Sequence, residues 1–334
     1  MSAAISRSTR ASTIAGFAAL IIVAALIGSP WWGDVATERL IGEFMVYLAL
    51  ASLWNLLAGY TGLVSVGQQA FVGFGAYVAF TLALLYGWNP LYAVPVAGVA
   101  TALISIPVAR LVFRLAGAYF AIGTWVVAEV FRLVFAQVTT LGGGSGESLP
   151  INTIKLIGVT KFWREATIYW LALALGIAAL ALVYGLLRSR IGLALTAIRD
   201  NETASVSLGV RISHVKYAVY VLVAGVTGMV GALILLQKIR VSPDAAFSVN
   251  DWTAFVIFIV VIGGIGTIEG PIVGTLVYFL LRGFLADLGG IYLLILGALA
   301  IAIMLTAPKG IWGYVQKRYR LYLFPTGYRV TETE

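Results

Sequence analysis

Few side chains in this chain could make or break covalent bonds. It has no cysteine and a single histidine, His214. Disulfides, iron–sulfur clusters and thiolate metal sites are therefore excluded. A His-rich metal centre is excluded as well, and no Ser/His/Asp set is credible around the one histidine. No glycine is followed by a lysine anywhere, so there is no P-loop to cradle ATP. The run GGIGTIEG at 263–270 does not follow a strand in a strand–helix–strand unit, so it is no dinucleotide fingerprint. The chain reads as non-enzymatic, with no cofactor. The polar groups left over gather in two settings. One is the polar run at residues 188–216, with Arg199, Asp200, Asn201 and Glu202 in succession. The other is Ser65, Gln68 and Gln69, set in a glycine-rich apolar stretch.

The elements that position them are apolar helices. The chain is 61% hydrophobic and only 11% charged. Its apolar residues come in blocks of about 17–25, the length that crosses a bilayer core, and not in the period-two pattern of a membrane barrel. The fold class expected is all-α, a polytopic transmembrane bundle. About ten spans are read, at 14–28, 40–57, 63–86, 91–109, 117–136, 166–187, 217–236, 253–262, 271–286 and 291–306. The first is read as a retained span rather than a cleaved signal. The segment 253–262 is too short to cross alone, so it is either re-entrant or runs into the glycines after it. The net charge of +8 is expected from basic inner loops, not from nucleic-acid binding. An inside N-terminus puts fourteen of the 22 basic residues on the inner face, which supports both termini inside. The permease domain is read as 1–313, followed by a tail at 314–334. In that tail Tyr314, Tyr319 and Tyr322 interleave with Lys and Arg, as suits a segment lying on an anionic leaflet. Two outer loops, 139–165 and 238–251, are either connectors or a docking surface for an extracytoplasmic partner. Glu129 and Arg132, three apart on one helix, are read as a structural ion pair.

Within the polar run, Asp200 or Asn201 can cap a helix of about two turns ending near Leu208, and Gly209 can supply its left-handed cap. Glu202 in the first turn complements the helix dipole. Ala204 and Leu208, four apart, make a small apolar stripe, and Ser213 is placed to cap the next span. Such a helix either packs on its own spans or inserts into a groove on a cytoplasmic protein.

Glycines cluster at 59–75 and 263–274. Glycine is unfavourable inside a helix by about 1 kcal/mol relative to alanine, so such clusters need a packing or a pathway reason. Broken helices in both halves can line a transport path. Ser65, Gly67, Gln68, Gln69, Phe71 and Phe74 in the first cluster, with Gly264, Gly266 and Gly270 in the second, are the candidate path residues. No unpaired carboxylate stands out at mid-membrane, as an ion-driven carrier would often have.

Three runs carry a resemblance, in order along the chain. They are GLVSVGQQAFVGFGAYVAF, then AIRDNETASVSLGV with HVKYAVYVLVAGVTGMVGAL, then VVIGGIGTIEGPIVGT with MLTAPKGIWG. Together they resemble the LivM-like permease subunits of ABC importers for branched-chain amino acids, urea and short amides. The resemblance covers roughly residues 40–313. It implies an inner-membrane permease subunit that forms half of a translocation path. It further implies a second permease subunit, two ATP-binding cassette subunits and a periplasmic binding protein as partners. The ATPases would dock on Arg199, Asp200, Asn201, Glu202, Ala204, Leu208 and Gly209. Thr203, Ser205, Val206 and Ser207 depart from the family's richer Ala/Glu pattern there. A self-sufficient carrier or channel is the alternative.

Overall fold

The computed structural model describes residues 3–6, 10–285, 288–319, 321, 323–325 and 329–332. Ala286 and Tyr322, which entered the expectations above, lie outside the described residues, as do Arg7 and Arg320, two of the fourteen basic residues counted on the inner face.

The helices in chain order are α1 (Arg10–Gly28), α2 (Val35–Thr61), α3 (Gln68–Leu85), α4 (Pro90–Val112), α5 (Ala118–Ala136), α6 (Ile151–Lys155), α7 (Lys161–Leu187), α8 (Arg190–Asp200), α9 (Glu202–Ser207), α10 (Ile212–Lys238), α11 (Pro243–Ala246), α12 (Phe255–Gly263), α13 (Glu269–Leu285), α14 (Ile291–Thr306) and α15 (Gly310–Tyr319). Four short strands accompany them, β1 (Ala3–Ser6), β2 (Glu147–Ser148), β3 (Arg240–Val241) and β4 (Arg329–Glu332). Among the described residues, nine helical segments are long and apolar enough to cross a membrane. Helix α13 lies outside that set, one residue shorter than the shortest of the nine. Its 17 residues make it about 26 Å long. It starts beside the chain's C-terminal segment, where the Glu269 carboxylate accepts from the Leu323 and Phe324 amides. It ends near the start of α2, where Arg282 Nη1 donates to Glu43 Oε2 at 3.0 Å. Strand β1 pairs antiparallel with β4, which brings Ala3–Ser6 beside Arg329–Glu332.

The core is organised around α2 and α10. Eighteen residues of α2 are buried, from Glu38 to Thr61. Helix α2 packs on α7, α10, α12 and α13, while α10 packs on α4 and α3. Small residues set the closeness of these contacts. Gly98 and Gly225 face one another across α4 and α10, and a β-carbon on Gly225 would sit 3.2 Å from the Gly98 carbonyl.

Two expectations change. The short segment 253–262 gains length on its N-terminal side, not by running into the glycines. A π-helical turn, Asn250–Ala254, joins α11 to α12, so Pro243–Gly263 forms one span of 21 residues. Ser248 Oγ accepts from the Asp251 amide at 3.2 Å, which carries the chain through that turn. The span read as 63–86 begins only at Gln68. Residues 62–67 are irregular, and their backbone groups are met by side chains, as described below.

The two outer loops form one cap. β2 of the first pairs antiparallel with β3 of the second. The Leu149 amide donates to the Ile239 carbonyl at 3.0 Å, and Arg240 Nη2 donates to the Ser145 carbonyl at 2.9 Å. The expected Glu129–Arg132 pair is formed at 2.6 Å, and Arg132 Nη1 also reaches Asp244 Oδ1 at 2.6 Å, tying α5 to α11. All three side chains reach water. Arg132→Met should therefore lower stability by no more than about 1 kcal/mol. A thermal midpoint measured in detergent checks this, and a collapse of the fold would show the network doing far more.

Candidate functional site

Both glycine-rich breaks are held by neighbouring residues of α2. Trp54 Nε1 donates to the Ser65 carbonyl in the first break at 2.8 Å. Asn55 engages the second from both ends of its amide. Its Nδ2 donates to the Thr267 carbonyl at 2.7 Å, and its Oδ1 accepts from the Gly266 amide at 2.8 Å. Glycine is needed for this approach, since a β-carbon on Gly59 would lie 2.6 Å from the Gly266 nitrogen. Gly266 itself has φ +76°, a left-handed turn that glycine adopts freely. In this way an apolar helix satisfies the backbone groups that two broken helices expose.

The first break and the start of α3 collect polar partners from three further elements. The Gly67 amide donates to Ser65 Oγ at 3.2 Å, and the Val66 amide to Thr124 Oγ1 of α5 at 3.1 Å. Gln68 Nε2 donates to Thr227 Oγ1 of α10 at 2.8 Å. Thr253, in the π-helical turn, donates to Gln69 Oε1 and accepts from the Gln69 amide. Ser65, Gln68 and Gln69 are each at most 1% exposed. Gln68 Oε1 and Gln69 Nε2 nevertheless have no partner among the described residues. The candidate path residues of this stretch thus come together in the packed interior of the subunit. Phe71 meets Tyr220 edge-on at 5.6 Å, and Phe74 packs against Phe131 at 5.9 Å and Phe135 at 6.1 Å. In the second break, Thr267 Oγ1 donates to the Gly264 carbonyl at 2.8 Å and accepts from the Gly270 amide at 3.0 Å. Gly264, Gly266 and Gly270 therefore form one closed turn against α2.

Sequence reasoning missed Trp54, Asn55, Thr124, Thr227 and Thr253. Their signal was visible, because each is a hydrogen-bonding residue inside an otherwise apolar span, where an unpaired group is costly.

The polar run lies at the end of α2 that carries Tyr60. Its first part is α8, which sequence reasoning did not separate from the loop. Ser189 Oγ caps it by accepting from the Ile191 amide at 3.2 Å. Gly192, Leu195 and Ile198, three apart along the sequence, bury its inner face on α2, α7 and α10. Asn201, one of the two candidates, is the cap of α9, its Oδ1 accepting from the Ala204 amide at 2.9 Å. Gly209, at φ +82°, closes the helix with its amide on the Val206 carbonyl at 2.9 Å. Ser213 caps nothing. α10 begins one residue earlier, at Ile212, after a cap at Arg211 that makes no side-chain bond.

Two charged contacts fix this loop on the spans. Lys216 Nζ donates to both Glu202 oxygens at 3.1 Å. The Arg199 guanidinium lies over the Tyr60 ring at 5.6 Å and also donates to Asp200 Oδ1 at 3.1 Å. Ser205 is the one buried residue of α9, and its Oγ donates to the Asn201 carbonyl at 2.8 Å. Ala204, Val206 and Leu208 face outward, with Val206 60% and Leu208 79% exposed. The loop therefore presents a firmly mounted short helix whose Ala204–Leu208 stripe is uncovered, with Val206 exposed on another side.

Residues 36–307 match the family model described as the permease component of branched-chain amino acid transport systems. The chain is 28% identical over 310 residues to the high-affinity branched-chain amino acid transport system permease protein LivM of Salmonella typhimurium, covering 86% of this chain and 71% of that one. It is 27% identical over 326 residues to LivM of Escherichia coli, covering 91% and 76%. It is 23% identical over 283 residues to a probable LivM of Methanocaldococcus jannaschii, covering 75% and 81%. No solved structure matches it. With a family match across most of its length and a multi-pass bundle around two glycine-rich breaks, the chain belongs to the permease components of branched-chain amino acid transport systems.

Proposed function

We propose that this protein is the membrane-spanning permease subunit of an ATP-driven importer for branched-chain or other small amino acids. It contributes half of the translocation path in the inner membrane and pairs with a second permease subunit. Two separate ATPase subunits drive the cycle, and a periplasmic binding protein delivers the solute. The observation that carries this reading is α9. It is mounted on α2 and α10 by Arg199 and Lys216, yet turns Ala204, Val206 and Leu208 away from the bundle. A two-turn helix is marginal in water without such mounting, and an apolar side held outward in this way is suited to a groove on another protein. The sequence has no nucleotide-binding motif, which supports an energy source on a separate subunit. The paired outer loops offer a single ordered platform at the opposite end for the solute-delivering partner.

In this account the two breaks, braced by Trp54 and Asn55, are the elements that shift as the subunits open to either side. Purification of the tagged chain from its native membranes in mild detergent should retain an ATPase subunit. Recovery of the chain alone, together with uphill uptake by the chain alone on an ion gradient, would establish a self-sufficient carrier instead.

A further inference from the structure

A cavity of about 710 Å³ opens at the end of the bundle opposite α9. It lies between the first turns of α2 and α7 and the last turn of α10. Its charged lining is Glu38, Arg39, Glu43, Glu165 and Lys238. Most of these charges are already matched. Arg39 Nη2 holds Glu165 Oε1 at 2.8 Å, and Arg282 Nη1 holds Glu43 Oε2 at 3.0 Å. Two remain. Glu38 is 6% exposed and has neither an ion pair nor a side-chain hydrogen bond among the described residues. Lys238 has no carboxylate partner among them, and its ammonium rests 5.0 Å above the Trp252 ring.

A carboxylate largely withdrawn from water with no partner is unfavourable. The N-terminal dipole of α2 favours an acidic group in its first turn, but that effect is weaker than the cost of desolvation. The Glu38 carboxylate therefore attracts a cation, and Lys238 on the same lining is a cation with no carboxylate partner among the described residues. We propose that this cavity receives a zwitterionic solute on its way into the path, Glu38 accepting its ammonium and Lys238 meeting its carboxylate. This rests on the reading of the chain as an amino acid permease. It adds a receiving site on the permease itself, distinct from the glycine-rich breaks. Glu38 stands in the first turn of α2, away from mid-membrane, which suits reception of solute rather than ion coupling.

The native chain has no cysteine, so Ala36→Cys on the cavity wall is a sole thiol reporter. The full chain carrying it, in lipid nanodiscs, is labelled with a neutral thiol reagent in the presence of three probes. These are L-leucine, isopentylamine (no carboxylate) and 4-methylpentanoate (no ammonium), with sodium chloride as a fourth arm. Leucine should slow labelling saturably. Glu38→Gln should raise the half-protecting concentration of leucine and of isopentylamine at least tenfold, about 1.4 kcal/mol. Lys238→Gln should weaken leucine and leave isopentylamine unchanged. The proposal is overturned if leucine protects Glu38→Gln equally well, or if 4-methylpentanoate or sodium alone protects as leucine does. It is overturned too if leucine fails to protect. No ATPase takes part in this assay, so its failure is separate from failure of the coupling reading, which the Leu208 variant below tests.

Discussion

Replacing Leu208 by Asp should reduce ATP-driven uptake at least tenfold while the chain still folds and inserts. Leu208 is 79% exposed, so the wild-type side chain contributes little to the packing of its own subunit. In a docked complex the same position would lie inside a groove, where an unpaired carboxylate is strongly unfavourable. A loss of about 1.4 kcal/mol in docking already gives a tenfold effect. The expected signature is therefore selective, with unchanged expression and thermal midpoint, and ATPase activity that no longer responds to solute. Glu202→Gln is a useful contrast. It weakens the bond to Lys216 that mounts α9, so it should impair coupling only in part. Normal uptake by Leu208→Asp would remove α9 as the entry point of the driving force.

Asn55→Leu should destabilise the chain and impair transport together. Asn55 is 1% exposed and satisfies the Gly266 amide and the Thr267 carbonyl at once. Leaving a buried donor or acceptor unpaired costs about 1–3 kcal/mol. Gly266 and Thr267 are half-buried, so the lower part of that range applies, and the sum is about 2–4 kcal/mol. Leucine also lacks room where Gly59 and Gly266 nearly touch. Thermal unfolding in detergent reads the stability, and uptake at matched protein levels reads function. An unchanged midpoint would show that the second break does not depend on α2.

The sequence made the spans legible because their apolar lengths match the bilayer, and every expected span has a helix in the structure. Boundaries were less legible where polar residues continue a helix. α7 starts at Lys161, inside what reads as a loop, because Thr160 caps it by accepting from the Trp163 amide at 3.3 Å. α10 likewise begins at Ile212, among polar residues. The α9 helix and its Gly209 cap were legible because capping is local chemistry. α8 was not, because its buried face depends on three separate spans coming together. The glycine breaks were visible as composition. Their bracing by Trp54 and Asn55 was not, because Asn55 and Thr267 lie 212 residues apart in the chain. The unpaired carboxylate of Glu38 was also hidden, since only the folded chain shows which charges find partners.

The most direct test of a permease driven from outside uses the absence of native cysteine. Val206→Cys places a single thiol on the exposed side of α9, and a short bifunctional thiol–amine reagent is applied to native membranes. One major cross-linked product is expected, containing a nucleotide-binding ATPase subunit, with a yield that changes on ATP addition. An uncross-linked chain that accumulates solute from an ion gradient without ATP would contradict it.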